Sequence, residues 1–348
     1  MSNGELKQYL AEKYNGDIIV SSIDTSVSIG GLRNPRFRKV ILNIPPVKMS
    51  KVDKVLLDVS ISTTFNPLNI KWKLLFDEFT LTREFKPQIL VEDNGFYYSK
   101  LIFDLTPVYK YSTKHTLGVQ FEGAEPITVE HVNLVIFYPV EGASSSITYL
   151  SGALLLKPGE ETALNVSIEP IEGEGFVKIV GVVPSRQAKV KVFFNDKLIH
   201  TIEGVLGVEE ITASPIDVND ENIIKIQHLP STTRYYPSSF RLSTIIVGKN
   251  KIPLPRITIS ETKVEDNKLI IKITNQGMVE PDRLILLVTH LGSIIYRGKL
   301  KPLKPGETEL IEVPLKGIRG CNNITIRAIW GKLSKTEFVE AKVKVSKS

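Results

Sequence analysis

The sequence is poor in cysteine, methionine and tryptophan, with one, three and two in 348 residues. A single thiol, Cys321, excludes an intramolecular disulfide and a cysteine-built metal cluster. The five histidines, His115, His131, His200, His228 and His290, are scattered and make no H-x-H or H-E-x-x-H spacing. P-loop, G-x-S-x-G and G-x-G-x-x-G fingerprints are missing too. The expectation is a chain with no metal, no cofactor and no catalytic constellation. Long apolar runs are lacking: the longest, Leu134–Tyr138 and Leu284–Val288, fall far short of the ~18 residues of a membrane-spanning helix. The first residues, MSNGELKQYLAEKYNGD, do not read as a secretory signal. The protein is therefore expected to stay in the cytoplasm or to leave inside an assembly, such as a virus particle released by lysis. Charge of one sign is also scarce: 44 Lys and Arg face 38 Asp and Glu, a net +6. That is too balanced and too dispersed for a dedicated nucleic-acid binder.

What is present is globular. Apolar residues make up 42% and charged residues 24%, and the length suits two or three domains. Few Cys and Met alongside many Ile, Val, Lys and Glu point to a thermophilic source. Leu6, Tyr9, Leu10 and Tyr14 recur at three- and four-residue spacing, which predicts a short helix over Ser2–Tyr14 ended by Gly16. Strand signals dominate thereafter. Runs of about 5–8 residues rich in β-branched side chains are punctuated by Gly, Pro, Asn and Asp. Examples are Lys54–Ile61, Ile127–Phe137, Val177–Val183, Lys189–Phe194, Ile223–Ile226 and Leu269–Ile273.

Two internal echoes support a serial architecture. Ser146-Ile-Thr-Tyr…Leu156-Lys-Pro-Gly-Glu matches Ser293-Ile-Ile-Tyr…Leu303-Lys-Pro-Gly-Glu, with equal Tyr-to-Leu spacing. Each reads as strand, Pro-Gly turn, strand. The second echo pairs His115–Phe121 followed by Val132–Phe137 with Asn222–His228 followed by Phe240–Val247. The fold class is all-β: tandem antiparallel β-sandwiches, jelly-roll and Ig-like, with a short N-terminal helix or arm. The expected division is a basic arm over 1–45, jelly-roll-like sandwiches over 46–145 and 146–250, and an Ig-like sandwich over 256–348. Lys249-Asn-Lys-Ile-Pro-Leu-Pro is the stiff linker before the last.

Ile257-Thr-Ile-Ser, Ile270-Ile-Lys-Ile-Thr-Asn-Gln-Gly, Leu303-Lys-Pro-Gly-Glu and Ile324-Thr-Ile-Arg-Ala follow one another in the final quarter. In this order the segment Arg256–Val345 resembles the CARDB-type immunoglobulin-like adhesion modules of archaeal and bacterial surface proteins. The resemblance implies binding or spacing without catalysis. More loosely, Val192-Phe-Phe-Asn-Asp-Lys-Leu-Ile and Asn222-Ile-Ile-Lys-Ile resemble jelly-roll carbohydrate-binding modules.

Candidate sites are few. Arg33-Asn-Pro-Arg-Phe-Arg-Lys gathers Arg33, Arg36, Arg38 and Lys39 around Phe37. Such a cluster suits an acidic partner or an anchoring role, and the strand that follows argues against nucleic acid. Arg234, Tyr235, Tyr236 and Phe240 form an aromatic loop suited to a sugar face or a protein contact. Asn165-Val-Ser and Asn323-Ile-Thr are glycosylation sequons. The carboxylate pairs Asp77-Glu78 and Glu92-Asp93 read as surface turns, because strand neighbours point to opposite faces. Asp217-Val-Asn-Asp-Glu-Asn lacks the glycine and distal glutamate of a calcium loop and reads as a polar turn.

The favoured function is a non-enzymatic structural or attachment protein, a multi-domain rod or spike such as a turret or capsid component of an archaeal virus, with protein partners in a homo- or hetero-oligomer. The alternatives are a carbohydrate-binding array working through Tyr235 and Tyr236, and a jelly-roll glycan-processing enzyme.

Overall fold

The computed structural model describes residues 3–45, 51–68, 70–230, 239–315, 322–333 and 335–345. These residues form twenty-five β-strands, all paired antiparallel, and no helix is found among them. The chain divides into two compact units, Met1–Ile44 with Met49–Ile252, and Pro253–Ser348 with Pro45–Lys48.

In the first unit an opening strand, β1 (Asn3–Tyr14), precedes β2 (Gly16–Gly30), β3 (Phe37–Asn43), β4 (Lys54–Thr63), β5 (Lys71–Phe76), β6 (Phe79–Glu84), β7 (Ile89–Asp93), β8 (Phe96–Asp104), β9 (Lys114–Phe121) and β10 (Pro126–Pro139). Strands β2 to β10 make two facing sheets, ordered β2-β10-β4-β8-β7 and β3-β9-β5-β6. Then come β11 (Ser144–Leu156), β12 (Glu161–Ser167), β13 (Glu174–Val183), β14 (Lys189–Phe194), β15 (Lys197–Glu203), β16 (Gly207–Ile216), β17 (Glu221–His228) and β18 (Phe240–Lys251). They repeat the same plan in sheets ordered β1-β11-β18-β13-β16 and β12-β17-β14-β15. With β1 and β7 set aside as edge additions, each set of eight strands has one sheet ordered first-eighth-third-sixth and another ordered second-seventh-fourth-fifth. That is the double Greek key of a jelly roll. The second echo is therefore one jelly-roll step used twice: a central strand of the four-stranded sheet (β9 or β17), a loop, then a central strand of the five-stranded sheet (β10 or β18).

Each jelly roll buries an apolar core. In the first, Trp72 and Phe85 pack at 4.9 Å between centroids, among Leu42, Leu57, Leu74, Leu117 and Leu134. In the second, Leu156, Ile179, Val192, Phe194, Ile224, Ile226 and Phe240 interdigitate. The two five-stranded sheets also pack against each other, through Leu10, Leu56, Val135, Phe137, Ile147, Tyr149 and Ile246. Their central strands are buried on both faces, which is why β4, β11 and β18 carry near-continuous burial.

The N-terminal segment corrects the helix expectation. Asn3–Tyr14 is a strand laid along β11, with a bulge between Gln8 and Leu10. One extra residue in a strand inverts the faces beyond it. Leu6 accordingly joins the second jelly-roll core, while Tyr9, Leu10 and Tyr14 turn toward the first. A bulged strand thus reproduces the three- and four-residue spacing of a helix. Residues 16–43 are likewise no arm: β2 and β3 are the first two strands of the first jelly roll.

The second unit holds β19 (Ile257–Glu265), β20 (Lys268–Asn275), β21 (Arg283–His290), β22 (Ser293–Leu300), β23 (Thr308–Pro314), β24 (Asn322–Lys332) and β25 (Lys335–Val345). They form sheets β19-β20-β23 and β22-β21-β24-β25, an Ig-like division into three and four strands. Its core is mainly apolar, from Leu269, Ile271 and Leu286 to Ile326 and Trp330. The Pro-Gly echo is structural. Gly159 and Gly306 sit at φ +89° and +76°. Glu160 and Glu307 each bond back to the amide three residues earlier, Lys157 and Lys304, at 2.8 and 2.9 Å. Both turns carry the chain from one sheet of a sandwich to the other.

Candidate functional site

Among the described residues, a cluster of buried ionisable groups lies between the two five-stranded sheets. Lys100 on β8 donates to Asp58 Oδ1 on β4 at 2.6 Å. Oδ2 of Asp58 accepts from Tyr149 (2.5 Å) and Ser151 (2.6 Å), both on β11 of the opposite sheet. His131 Nε2 on β10 meets Ser60 at 2.9 Å and Ser243 on β18 at 2.8 Å. Asn133 donates to Thr244 at 3.0 Å. Arg241, at the margin of this network, pairs with Glu130 and lies 3.8 Å over the Tyr98 ring. Every bond from Asp58 to β11 crosses from one jelly roll to the other.

The electrostatics follow from burial. Desolvation pushes the Lys100 ammonium below its ordinary value, opposed by Asp58. It pushes the His131 imidazole well below 6.5, helped by the neighbouring Lys100 charge. Burial alone would raise Asp58, yet Lys100 and the hydroxyl donors hold it below the usual carboxylate range. Tyr149 is pushed well above 10 by desolvation and by Asp58. The side chains of Lys100 and Asp58 are 2% and 1% exposed, so no substrate reaches them. Ser60 and His131 do not make a hydrolytic triad, because His131 Nδ1 has no partner among the described residues and no carboxylate orients it. The cluster joins two sheets.

Sequence reasoning placed none of Asp58, Lys100, Tyr149, Ser243 and Thr244 in a site. The signal available was a charged residue set directly among apolar neighbours, as in Leu56-Leu57-Asp58-Val59 and Lys100-Leu101-Ile102.

The residues singled out from sequence fall as follows. Arg33 is exposed in the turn before β3, and Arg36, Phe37, Arg38 and Lys39 are exposed at the start of that edge strand. Phe37 lies over Gly118 on β9, where a Cβ would stand 3.2 Å from the phenyl ring and 3.4 Å from Leu75 on β5. Phe37 and Leu75 thus roof a glycine floor on the outer face of the β3-β9-β5-β6 sheet, with the half-exposed Ile41 on the same face opposite Thr116. Lys39 and Lys73 stand on the same face. Arg234, Tyr235 and Tyr236 lie outside the described residues, as does Cys321. Phe240 is corrected: it is fully buried, packed over Gly181, and belongs to the second core instead of a contact loop.

Asp77 and Glu78 form a two-residue hairpin turn, both at positive φ. Asp77 accepts from buried His115 at 2.6 Å and from the Thr116 amide at 2.8 Å, while Glu78 faces solvent. Glu92 and Asp93 end β7, and Asp93 accepts from Ser239 at 2.8 Å. In the Asp217 segment, Asn222 is buried and spends its amide on Asn195, Asn219 and Val166. Among the described residues no group of three or more His, Cys, Asp or Glu is placed to hold a metal ion, and no helix is long and apolar enough to cross a membrane. Asn165 on β12 and Asn323 on β24 are both exposed.

No protein-family model and no curated protein matches the chain. Solved structures to which it is similar include the β-D-glucuronidase of Dictyoglomus thermophilum, at 11% identity and TM-score 0.22, covering 59% of this chain and 36% of that one. The β-glucuronidase of Ruminococcus gnavus is similar at 10% identity and TM-score 0.21, over 57% of this chain and 36% of that one. That of Lactobacillus rhamnosus is similar at 11% identity and TM-score 0.21, over 53% and 35%. The chain spans about a third of the length of these enzymes, and a likeness of this extent bears on neither activity nor substrate.

Proposed function

We propose that this protein is a non-enzymatic structural or attachment protein that works within a larger assembly. The observation that carries the reading is the outer face of the β3-β9-β5-β6 sheet. There Phe37 and Leu75 lie over Gly118 with Ile41 further along the same face, and Lys39 and Lys73 stand beside them. The partner this face fits is an acidic protein surface with apolar side chains. A second copy of the same face would set cation against cation. Support comes also from the tandem jelly rolls, an architecture that viral capsid and lectin domains use. The step from topology to a virus particle is an analogy of fold. The charged residues that most resemble catalytic machinery are shut inside a sheet-to-sheet joint, which fits a scaffold.

The test is a photo-crosslinking side chain in place of Phe37, in the protein within its native assembly. The reading expects an adduct to an acidic stretch of one partner protein, lost in the double variant Lys39→Glu, Lys73→Glu. An adduct to nucleic acid, or one indifferent to charge reversal, contradicts it.

A further inference from the structure

A second feature is independent of that face. Where the two five-stranded sheets diverge at one end, they leave a cleft of about 640 Å³, lined from both jelly rolls. Such a volume lies in the range of small-molecule sites. One wall is aromatic: Phe96, 46% exposed, stacks on Tyr98 at 6.4 Å and 12° between planes. Tyr98 is in turn covered by the Arg241 guanidinium. The opposite lip carries Leu206, 62% exposed. Between them Val182, Pro184 and Val208 share the lining with the Arg241–Glu130 pair, Asp93 and Ser239. Arg241 is 7% exposed and Glu130 15%, so the pair lies at the base of the cleft.

The chemistry of the lining selects its ligand. An exposed phenyl face suits the C–H face of a pyranose ring, and fixed donors and acceptors around it suit hydroxyl groups, which both give and accept hydrogen bonds. Asp93 and Glu130 outnumber Arg241, so the cleft carries a net negative charge and repels anions. We infer that the cleft between the two jelly rolls binds a neutral oligosaccharide, with Phe96 as the stacking platform and with uronic acids excluded.

The experiment uses the full chain and titrates cellotriose, maltotriose, mannotriose, trigalacturonate and spermidine, each to about 10 mM, a range that captures weak sugar binding. At least one neutral trisaccharide is expected to bind. Phe96→Ala is expected to weaken it at least tenfold, and Leu206→Trp, which fills the mouth from the other lip, to do the same. Both positions are exposed, so neither change disturbs the core. Phe338→Ala, on an exposed site of the second unit, is expected to leave binding unchanged. The inference is overturned if no neutral trisaccharide binds, if binding survives both cleft variants, or if trigalacturonate or spermidine binds more tightly than every neutral sugar. None of these results touches the crosslink expected at Phe37, so the two proposals fail separately.

Discussion

The joint between the two jelly rolls and the core of the Ig-like unit solve the same problem with opposite chemistry. In the Ig-like unit two sheets meet through Leu269, Leu286, Ile326 and their neighbours, and among the described residues Asn275 is its one buried polar side chain. In the joint, apolar contacts at one end give way to Asp58, Lys100, His131, Asn133 and a set of hydroxyls. An apolar core is held by area removed from water, tolerates exchange of similar side chains and ignores pH. A buried charge pair adds little net stability but punishes the loss of either partner, and it admits one register. The joint is thus the part of the molecule with a fixed geometry and a titratable stability.

The sharpest way to break that contrast is Lys100→Ala. It strands the Asp58 carboxylate in the interior and is expected to cost about 3–5 kcal/mol. Denaturant unfolding should show the loss in the jelly-roll unit alone, with the transition of the Ig-like unit unmoved; a loss under ~1 kcal/mol would mean that water reaches Asp58. Leu286→Ala is the counterpart in the apolar core. Cavity formation should cost about 3 kcal/mol, at every pH and only in the Ig-like unit.

Acid should separate the two units next. His131 is held neutral in the folded protein, well below 6.5, and takes up its proton on unfolding. The unfolded state therefore binds more protons below that value, and stability falls as pH drops, by up to ~1.4 kcal/mol per pH unit. Asp58, lowered from 3.8, adds a loss of the same sign in stronger acid. Melting temperatures taken from pH 7.5 to 5 should fall for the jelly-roll unit and stay level for the Ig-like unit. The smallest effect tests the resemblance between the units instead of their difference. Gly159→Ala and Gly306→Ala, both at positive φ in matching turns, should each cost about 1 kcal/mol. Differential scanning calorimetry on the two variants should give shifts of similar size.

The sequence was legible where turn chemistry is local. Leu-Lys-Pro-Gly-Glu announced the same turn between strands twice, and the structure makes each one a crossing from sheet to sheet. Alternating strands were legible too, since period two survives in β14, β17 and β20. The joint was not. Asp58, Ser60 and Ser62 alternate with apolar residues in β4, and polar residues at period two read as a solvent face. Only tertiary packing brings a second polar sheet against them. The opening strand misled for a related reason: a bulge at Tyr9 moves Leu6 and Leu10 to opposite faces, and the sequence spacing that results mimics a helix. The cationic cluster at Arg36–Lys39 was legible as exposed, but the glycine floor beneath Phe37 comes from β9, some eighty residues away in sequence.

If the ionisable groups of this protein hold two jelly rolls together, with its outer faces left for contact, protonating the joint should loosen both rolls at once. Amide hydrogen exchange of β4, β10, β11 and β18, followed from pH 7 to 5 and corrected for intrinsic exchange, measures this directly. The account predicts that protection in these four strands falls together below pH ~6.5, while β20, β21 and β24 keep theirs. Equal loss in both units, or unchanged protection in β4 and β18, would contradict it.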